Sequence, residues 1–292
     1  MRRAWPHLAA LAAVTAWGIS FVATKAALRE LSPAVLVFSR FAMGAVLLHA
    51  LLAVRGTPLL PPREKMPALL LMGFVGVFVH QMIQVEGLAR TTAVRTGWLI
   101  GLIPIWSALI AAVFLRERFG ARKTVGLALG FAGAVLVVTR GSLSRDFLGL
   151  PSTTGDLLVL ASTLNWAIYT AIGGGTIRAL GATRATAGSM LPGWLLLAPL
   201  WIRERGWEAY GDLSGVGWGA LLFLGIGCSG LAYLAWYSAL KRLETGRVAA
   251  YLYVEPLVTL AAAVPLLGEP VAATTIAGGL TVLLGVFLVQ RG

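Results

Sequence analysis

The sequence predicts an all-α polytopic membrane protein, with ten transmembrane helices arranged as two inverted five-helix repeats. Three observations carry this expectation. The 292 residues are 58% hydrophobic and only 12% charged, whereas soluble domains run near a quarter charged. Apolar residues gather into runs of about 20, the length a helix needs to cross a bilayer. The chain also repeats on itself. Shifted by 152 residues, Leu88 falls on Leu240, Arg90 on Arg242, Arg95 on Arg247, Pro104 on Pro256, Glu117 on Glu269, Gly126 on Gly278 and Gly133 on Gly285.

Taken in order, the apolar runs place helices 1 to 10 over about 5–28, 32–54, 66–87, 92–115, 121–139, 155–177, 184–202, 216–240, 245–267 and 271–290. Polar or Pro/Gly clusters separate them. Examples are Ser32-Pro33, Pro61-Pro62-Arg63-Glu64-Lys65, Arg116-Glu117-Arg118, Arg203-Glu204-Arg205 and Gly268-Glu269-Pro270. The longest connection, 141–154, joins a first repeat over 1–140 to a second over 155–292. Helices 3–5 recur as helices 8–10. At a shift of 149, Trp17-Gly18 falls on Trp166-Ala167, so a small deletion separates the two registers. Five spans per repeat send the second repeat into the membrane from the opposite side. Inverted repeats of this kind characterise secondary transporters, whose binding site lies near the midplane between the repeats.

The net charge of +12 does not point to nucleic acid, because Lys and Arg sit in short loops, where they orient the chain. An even number of spans puts both termini on one side. Arg2, Arg3, Arg55, Arg63, Lys65, Arg116, Arg118, Arg122 and Lys123 crowd that side, which predicts cytoplasmic termini in a bacterial-type inner membrane. Asp146, Asp156, Glu204, Glu208 and Asp212 fall mostly on the other. The first apolar run, Trp5 to Leu28, is long and has a poor cleavage region, so it reads as a span rather than a signal peptide. Cys228 is the only cysteine, and the single Asn, Asn165, lacks a glycosylation sequon. The three His are far apart, with no metal-ligand spacing, and no cofactor is expected. Gly225-Ile226-Gly227-Cys228-Ser229-Gly230 matches a dinucleotide fingerprint, but it lies inside an apolar span with no strand before it.

Trp17-Gly18-Ile19-Ser20-Phe21-Val22 through Lys25 resembles the opening of the drug/metabolite transporter superfamily, EamA type. So do Arg40-Phe41, Gly87-Leu88-Ala89, Pro104, Leu115-Arg116-Glu117-Arg118 and Gly126 to Gly133. The second repeat echoes the set in Tyr237-Ser238-Ala239-Leu240, Glu255-Pro256, Leu267-Gly268-Glu269-Pro270 and Gly278 to Gly285. The resemblance covers nearly the whole chain. It implies ten helices in two inverted repeats, a central cavity, and export or exchange of small metabolites; some members of this type export amino acids. Helix 6 departs from the pattern, where Asn165-Trp166-Ala167-Ile168-Tyr169 leads into Gly173-Gly174-Gly175.

Candidate site residues follow from polarity within the spans. Tyr251-Leu252-Tyr253-Val254-Glu255-Pro256-Leu257 places a carboxylate inside hydrocarbon, where an ionisable group marks function by default. Glu255 is a candidate for coupling or for pairing with Arg40. Pro256 and its equal Pro104 are candidate hinges. Trp17, Ser20, Phe21, Thr24 and Lys25 share one face of helix 1; Trp17 sits too deep for an interface anchor, and Lys25 either faces the cavity or snorkels. His80, Gln81 and Gln84 need partners in hydrocarbon and are candidates for substrate binding. Trp98, Trp166, Tyr169, Tyr233 and Tyr251 complete an expected aromatic lining, able to hold ammonium groups by cation–π attraction. Gly126-xxx-Gly130 suits packing on helix 10 or a homodimer face.

The reading is a secondary transporter, not an enzyme, with a small-molecule substrate, most plausibly an amino acid or related amphipathic solute. Alternating access at a central midplane cavity is the expected mechanism. The alternatives are a nucleotide-sugar or phosphorylated-metabolite antiporter using Lys25, Arg40 and Arg95, and a lipid-modifying membrane enzyme.

Overall fold

The structure, a computed structural model, describes residues 4–115, 120–141, 150–240, 242–243, 248 and 251–291. No strand occurs among them. Nine of the described helices are long and apolar enough to cross a membrane, and Tyr251–Leu267 is a shorter apolar tenth. The expected start of helix 9 at 245, the Arg116-Glu117-Arg118 break, Lys241, Arg247 and most of the 141–154 connection lie outside the described residues.

Helix 1 is Trp5–Ala27 and helix 2 is Pro33–Val54. Helix 2 starts where Ser32 Oγ accepts the Val35 N–H at 3.3 Å and Pro33 follows; both features suit a helix start, which leaves donors unpaired. Thr92 caps helix 4 through the Arg95 N–H, and Ser214 caps helix 8 through the Gly217 N–H. Helix 5 is Ala121–Thr139 and helix 10 is Ala273–Arg291. Helix 6 runs Pro151–Leu180 and helix 7 Ala182–Arg203, parted by Gly181 at φ 77°. Helix 6 therefore continues through Gly173-Gly174-Gly175. Each such Gly costs roughly 1 kcal/mol against Ala, and at Gly173 the gap admits Met72 of helix 3, whose Cε would lie 2.9 Å from an added Cβ.

Four helices are irregular, and they are repeat partners. Helix 3 passes from Met66–Met72 through a π-helical Gly73–Val79 into His80–Arg90. Helix 8 does the same, from Gly215–Leu222 through Phe223–Ala232 into Tyr233–Leu240. The 152-residue shift lays the first π segment inside the second. Helix 4 stops at Ala93–Ile100 and restarts as Ile103–Leu115. Helix 9 turns through a 3-10 stretch, Tyr251–Val254, before Glu255–Leu267. Pro104 and Pro256 thus stand in the first turn of a restarted helix, where a missing N–H costs nothing. The interruption lies just before each proline, not at a kink it makes inside a continuous helix.

The packing carries a pseudo-two-fold relation. Helix 1 packs on helices 8 and 9, and helix 6 on helices 3 and 4. Helix 2 packs on helix 8, and helix 7 on helix 3. Helix 2 meets helix 7, and helix 5 meets helix 10. A Cβ on Gly126 would meet the Gly285 carbonyl oxygen at 2.7 Å, and one on Gly133 would meet that of Gly278 at 2.5 Å. Rising numbers in helix 5 match falling numbers in helix 10, so these repeat partners run antiparallel, as an inverted repeat requires. The small-residue face of helix 5 is therefore filled by helix 10 of the same chain.

Two apolar clusters form the core. One centres on helices 2, 3, 7 and 8 around Leu36, Leu48, Met190 and Leu221. The other centres on helices 4, 5, 9 and 10 around Leu99, Leu102, Ile105 and Val282. Each draws on both repeats, so the repeats interleave rather than lie side by side.

Candidate functional site

A cavity of about 160 Å³ lies among the helices. Helix 1 contributes Trp17, Ser20 and Phe21, helix 2 Arg40 and Phe41, and helix 3 His80, Gln81 and Gln84. The interrupted stretches supply Ile100, Gly101, Ile103 and Pro104 on one side and Leu252, Tyr253, Glu255 and Pro256 on the other. Trp166, Tyr233, Leu283, Val286 and Gln290 complete it. Broken helices at a binding site leave backbone groups and helix starts facing the space between repeats.

Two opposite charges face this cavity. Arg40 is 8% exposed; its Nε donates to Ser229 Oγ at 3.2 Å and its guanidinium lies over the Phe41 ring at 5.3 Å. Glu255, also 8% exposed, is the first residue of the restarted helix 9, where the helix dipole favours a carboxylate. Gly18 lets helix 1 approach closely: an added Cβ would stand 2.9 Å from the Glu255 carbonyl oxygen. Thr259 Oγ1 locks the contact, donating to the carbonyls of both Gly18 and Glu255 at 2.9 Å. Among the described residues neither Arg40 nor the Glu255 carboxylate has an ion-pair partner, and Glu86 of helix 3 pairs with Arg90. A buried guanidinium and a buried carboxyl without ion-pair partners are costly, a cost that complementary charges on a ligand would offset.

Polar and aromatic groups surround the charges. Gln81 Oε1 and the Tyr253 hydroxyl are buried with no hydrogen-bond partner among the described residues. His80 Nδ1 lies 3.1 Å from the Ser162 carbonyl; because a carbonyl only accepts, Nδ1 carries the proton. The repeat-related tryptophans take equivalent places. Trp17 packs on Tyr233 and Trp236, with ring centroids 5.5 and 5.3 Å away. Trp166 packs on His80 at 4.8 Å and on Tyr169 at 5.0 Å.

Four candidates stand away from the lining. Trp98 is 1% exposed and packs flat on helix 10, where a Cβ on Gly279 would lie 2.1 Å from its ring. The absent side chain of Gly279 takes up that indole. Tyr169 fills the space over Gly76, behind Trp166. The Tyr251 hydroxyl lies 2.7 Å from His7 Nδ1, toward the chain termini. Lys25 Nζ donates to the Ala89 carbonyl at 3.4 Å, at the opposite end.

Asp156, read from sequence as one of the acids on the side opposite the termini, is wholly buried there. It ion-pairs with Arg95 and accepts from Thr91 Oγ1 at 2.5 Å. Its signal was a carboxylate just inside an apolar run; its partner, a span away, was not legible. Ser20 and Gln81 line the cavity beside Trp17 and His80, and Tyr253 joins it through the 3-10 interruption of helix 9, which the apolar pattern does not reveal.

The fold and site can now be set beside known proteins. An uncharacterized transporter of Archaeoglobus fulgidus is 33% identical over 281 residues, covering 95% of this chain and 96% of its own. A probable terminal-alkyne amino-acid exporter of Streptantibioticus cattleyicolor is 27% identical, covering 95% and 91%. A solved crystal structure, 20% identical and covering 97% of this chain and 96% of its own, superposes with a TM-score of 0.66, a likeness of fold. The EamA-like transporter family matches twice, over residues 4–139 and 153–291. With two such units packed around a polar cavity between broken helices, this multi-pass membrane protein belongs to the EamA-like transporter family and is a transporter rather than an enzyme.

Proposed function

We propose that the protein exports or exchanges small zwitterionic metabolites, amino acids or related amphipathic solutes, by alternating access through the central cavity. The observation that carries this reading is that Arg40 and Glu255, neither with an ion-pair partner among the described residues, share one cavity walled by Trp17, Trp166 and Tyr233. A guanidinium matches a substrate carboxylate, and a carboxylate beside aromatic faces matches an ammonium. The likeness to an amino-acid exporter supports the same class. A phosphorylated substrate would call for converging cations. Of the described Lys and Arg, Arg40 lines the cavity, whereas Lys25 and Arg95 are engaged elsewhere.

The cavity reaches Gln290, near the end of the bundle that carries the termini. Together with the bias of Lys and Arg, this supports a cytoplasm-facing state in a bacterial-type inner membrane. Purified protein in proteoliposomes, given a panel of labelled amino acids with and without a pH gradient, tests the reading. Saturable movement of at least one amino acid is expected. Movement of phosphorylated solutes and of no amino acid would overturn it.

A further inference from the structure

The inverted repeat lets the two ends of the bundle be compared residue by residue. At the end opposite the termini, Asp156 of helix 6 ion-pairs with Arg95 of helix 4 and accepts the Thr91 hydroxyl at 2.5 Å. Arg95 also donates to the carbonyls of Val137 and Val138 at 3.2 and 2.9 Å. Glu269, between helices 9 and 10, accepts the N–H groups of Ala93 and Val94 at 2.8 and 3.0 Å. Helix 6 and the 9–10 connection are thereby tied to the start of helix 4. The cavity lining on helix 4 begins at Ile100, about a turn and a half deeper than Arg95.

The repeat gives the other end a different set. The 149-residue shift that lays Trp17 on Trp166 also lays Leu8 on Leu157, Leu11 on Leu160, and His7 on Asp156. The 152-residue shift lays Arg95 on Arg247, which lies outside the described residues. An imidazole stands where the ionic end has its carboxylate, and its Nδ1 meets the Tyr251 hydroxyl at 2.7 Å.

We propose that Arg95 and Asp156, positioned by Thr91 and Glu269, form an ionic gate at the end opposite the termini; at the other end His7 holds the place of Asp156. The resting transporter is closed at the Asp156 end, and a solute leaving there must first separate a buried ion pair. This inference needs the chain to be a transporter, and it is independent of which solute is carried.

Side-specific thiol labelling tests it. The single cysteine is replaced by Cys228→Ser, and Ser20→Cys places a reporter in the cavity. A membrane-impermeant maleimide is applied to intact cells and to inverted vesicles. The parent is expected to label faster from the side of the termini. Asp156→Asn or Arg95→Gln should raise labelling from the other side about tenfold, as a lost bias between two states does. The exchanged pair, Arg95→Asp with Asp156→Arg, should return it toward the parent. Thr91→Val, which keeps the ion pair and removes one hydrogen bond, should give a smaller rise and serves if Asp156→Asn does not accumulate. His7→Ala should leave labelling from the Asp156 side unchanged. Parent-like labelling in every gate variant present at parent levels would overturn the gate. A rise with His7→Ala equal to that with Asp156→Asn would show a general loosening of the bundle and overturn the gate.

Discussion

Arg40 and Glu255 line the same cavity, each buried, and neither is the other's counter-ion. Arg40 is held by Ser229 and Phe41, while Glu255 is fixed through its backbone by Thr259 and Gly18. In the proposed reading, a zwitterionic solute satisfies both side chains. Arg40→Gln and Glu255→Gln should each lower amino-acid transport by about 10- to 100-fold, the effect of losing a hydrogen bond to a charged group. Protein yield and Tm should stay near those of the parent. Normal transport by Glu255→Gln would make that carboxylate structural.

Two tryptophans of similar sequence context should behave differently. Trp166 faces the cavity, so Trp166→Leu should raise KM with a small change in Tm. Trp98 is seated on Gly279, so Trp98→Ala should cost about 3–5 kcal/mol of stability and lower Tm in detergent. Transport kinetics and thermal unfolding on the same preparations separate the two effects.

The contact between helices 5 and 10 depends on glycine. A Cβ at Gly133 would sit 2.5 Å from the Gly278 carbonyl oxygen, whereas one at Gly175 meets nothing within 4 Å. Gly133→Ala should destabilise by about 1–3 kcal/mol, the usual cost of overpacking. Gly175→Ala should be neutral or stabilising by up to about 1 kcal/mol. Equal Tm shifts in the two variants would contradict the assigned packing.

Outside the spans, Glu30 accepts both the backbone N–H and the hydroxyl of Ser214 at 2.7 Å. These bonds hold its carboxyl below the ordinary value of 4.5. Its contribution is therefore fully present above that value and is lost as pH falls through the depressed folded value. Glu30→Gln should lower Tm slightly at pH 7, and the difference from the parent should fade in acid. A difference that grows as pH falls would contradict this assignment.

Much of the architecture was legible because hydrophobic length and repetition are local signals. Apolar runs located the helices, Ser32-Pro33 marked a break, and Pro104 with Pro256 gave the register of the repeat. What escaped is tertiary. The π segments at Gly73–Val79 and Phe223–Ala232 leave no periodic trace. The break after Ile100 falls in an unbroken apolar run. Trp17 and Trp98 look alike in sequence, and only Gly279, far along the chain, decides that one of them packs away from the cavity. Asp156 reads as an acid at the start of helix 6, and only the fold brings Arg95 and Thr91 to it.

The central claim is that both poles of a zwitterion are read in one cavity, and counterflow in proteoliposomes tests it most directly. An amino acid that is transported would be compared with its amide, which lacks the carboxylate, and its 2-hydroxy acid analogue, which lacks the ammonium. The account predicts that the intact amino acid exchanges and that each analogue is slowed by about tenfold or more. Equal exchange of all three compounds would contradict it.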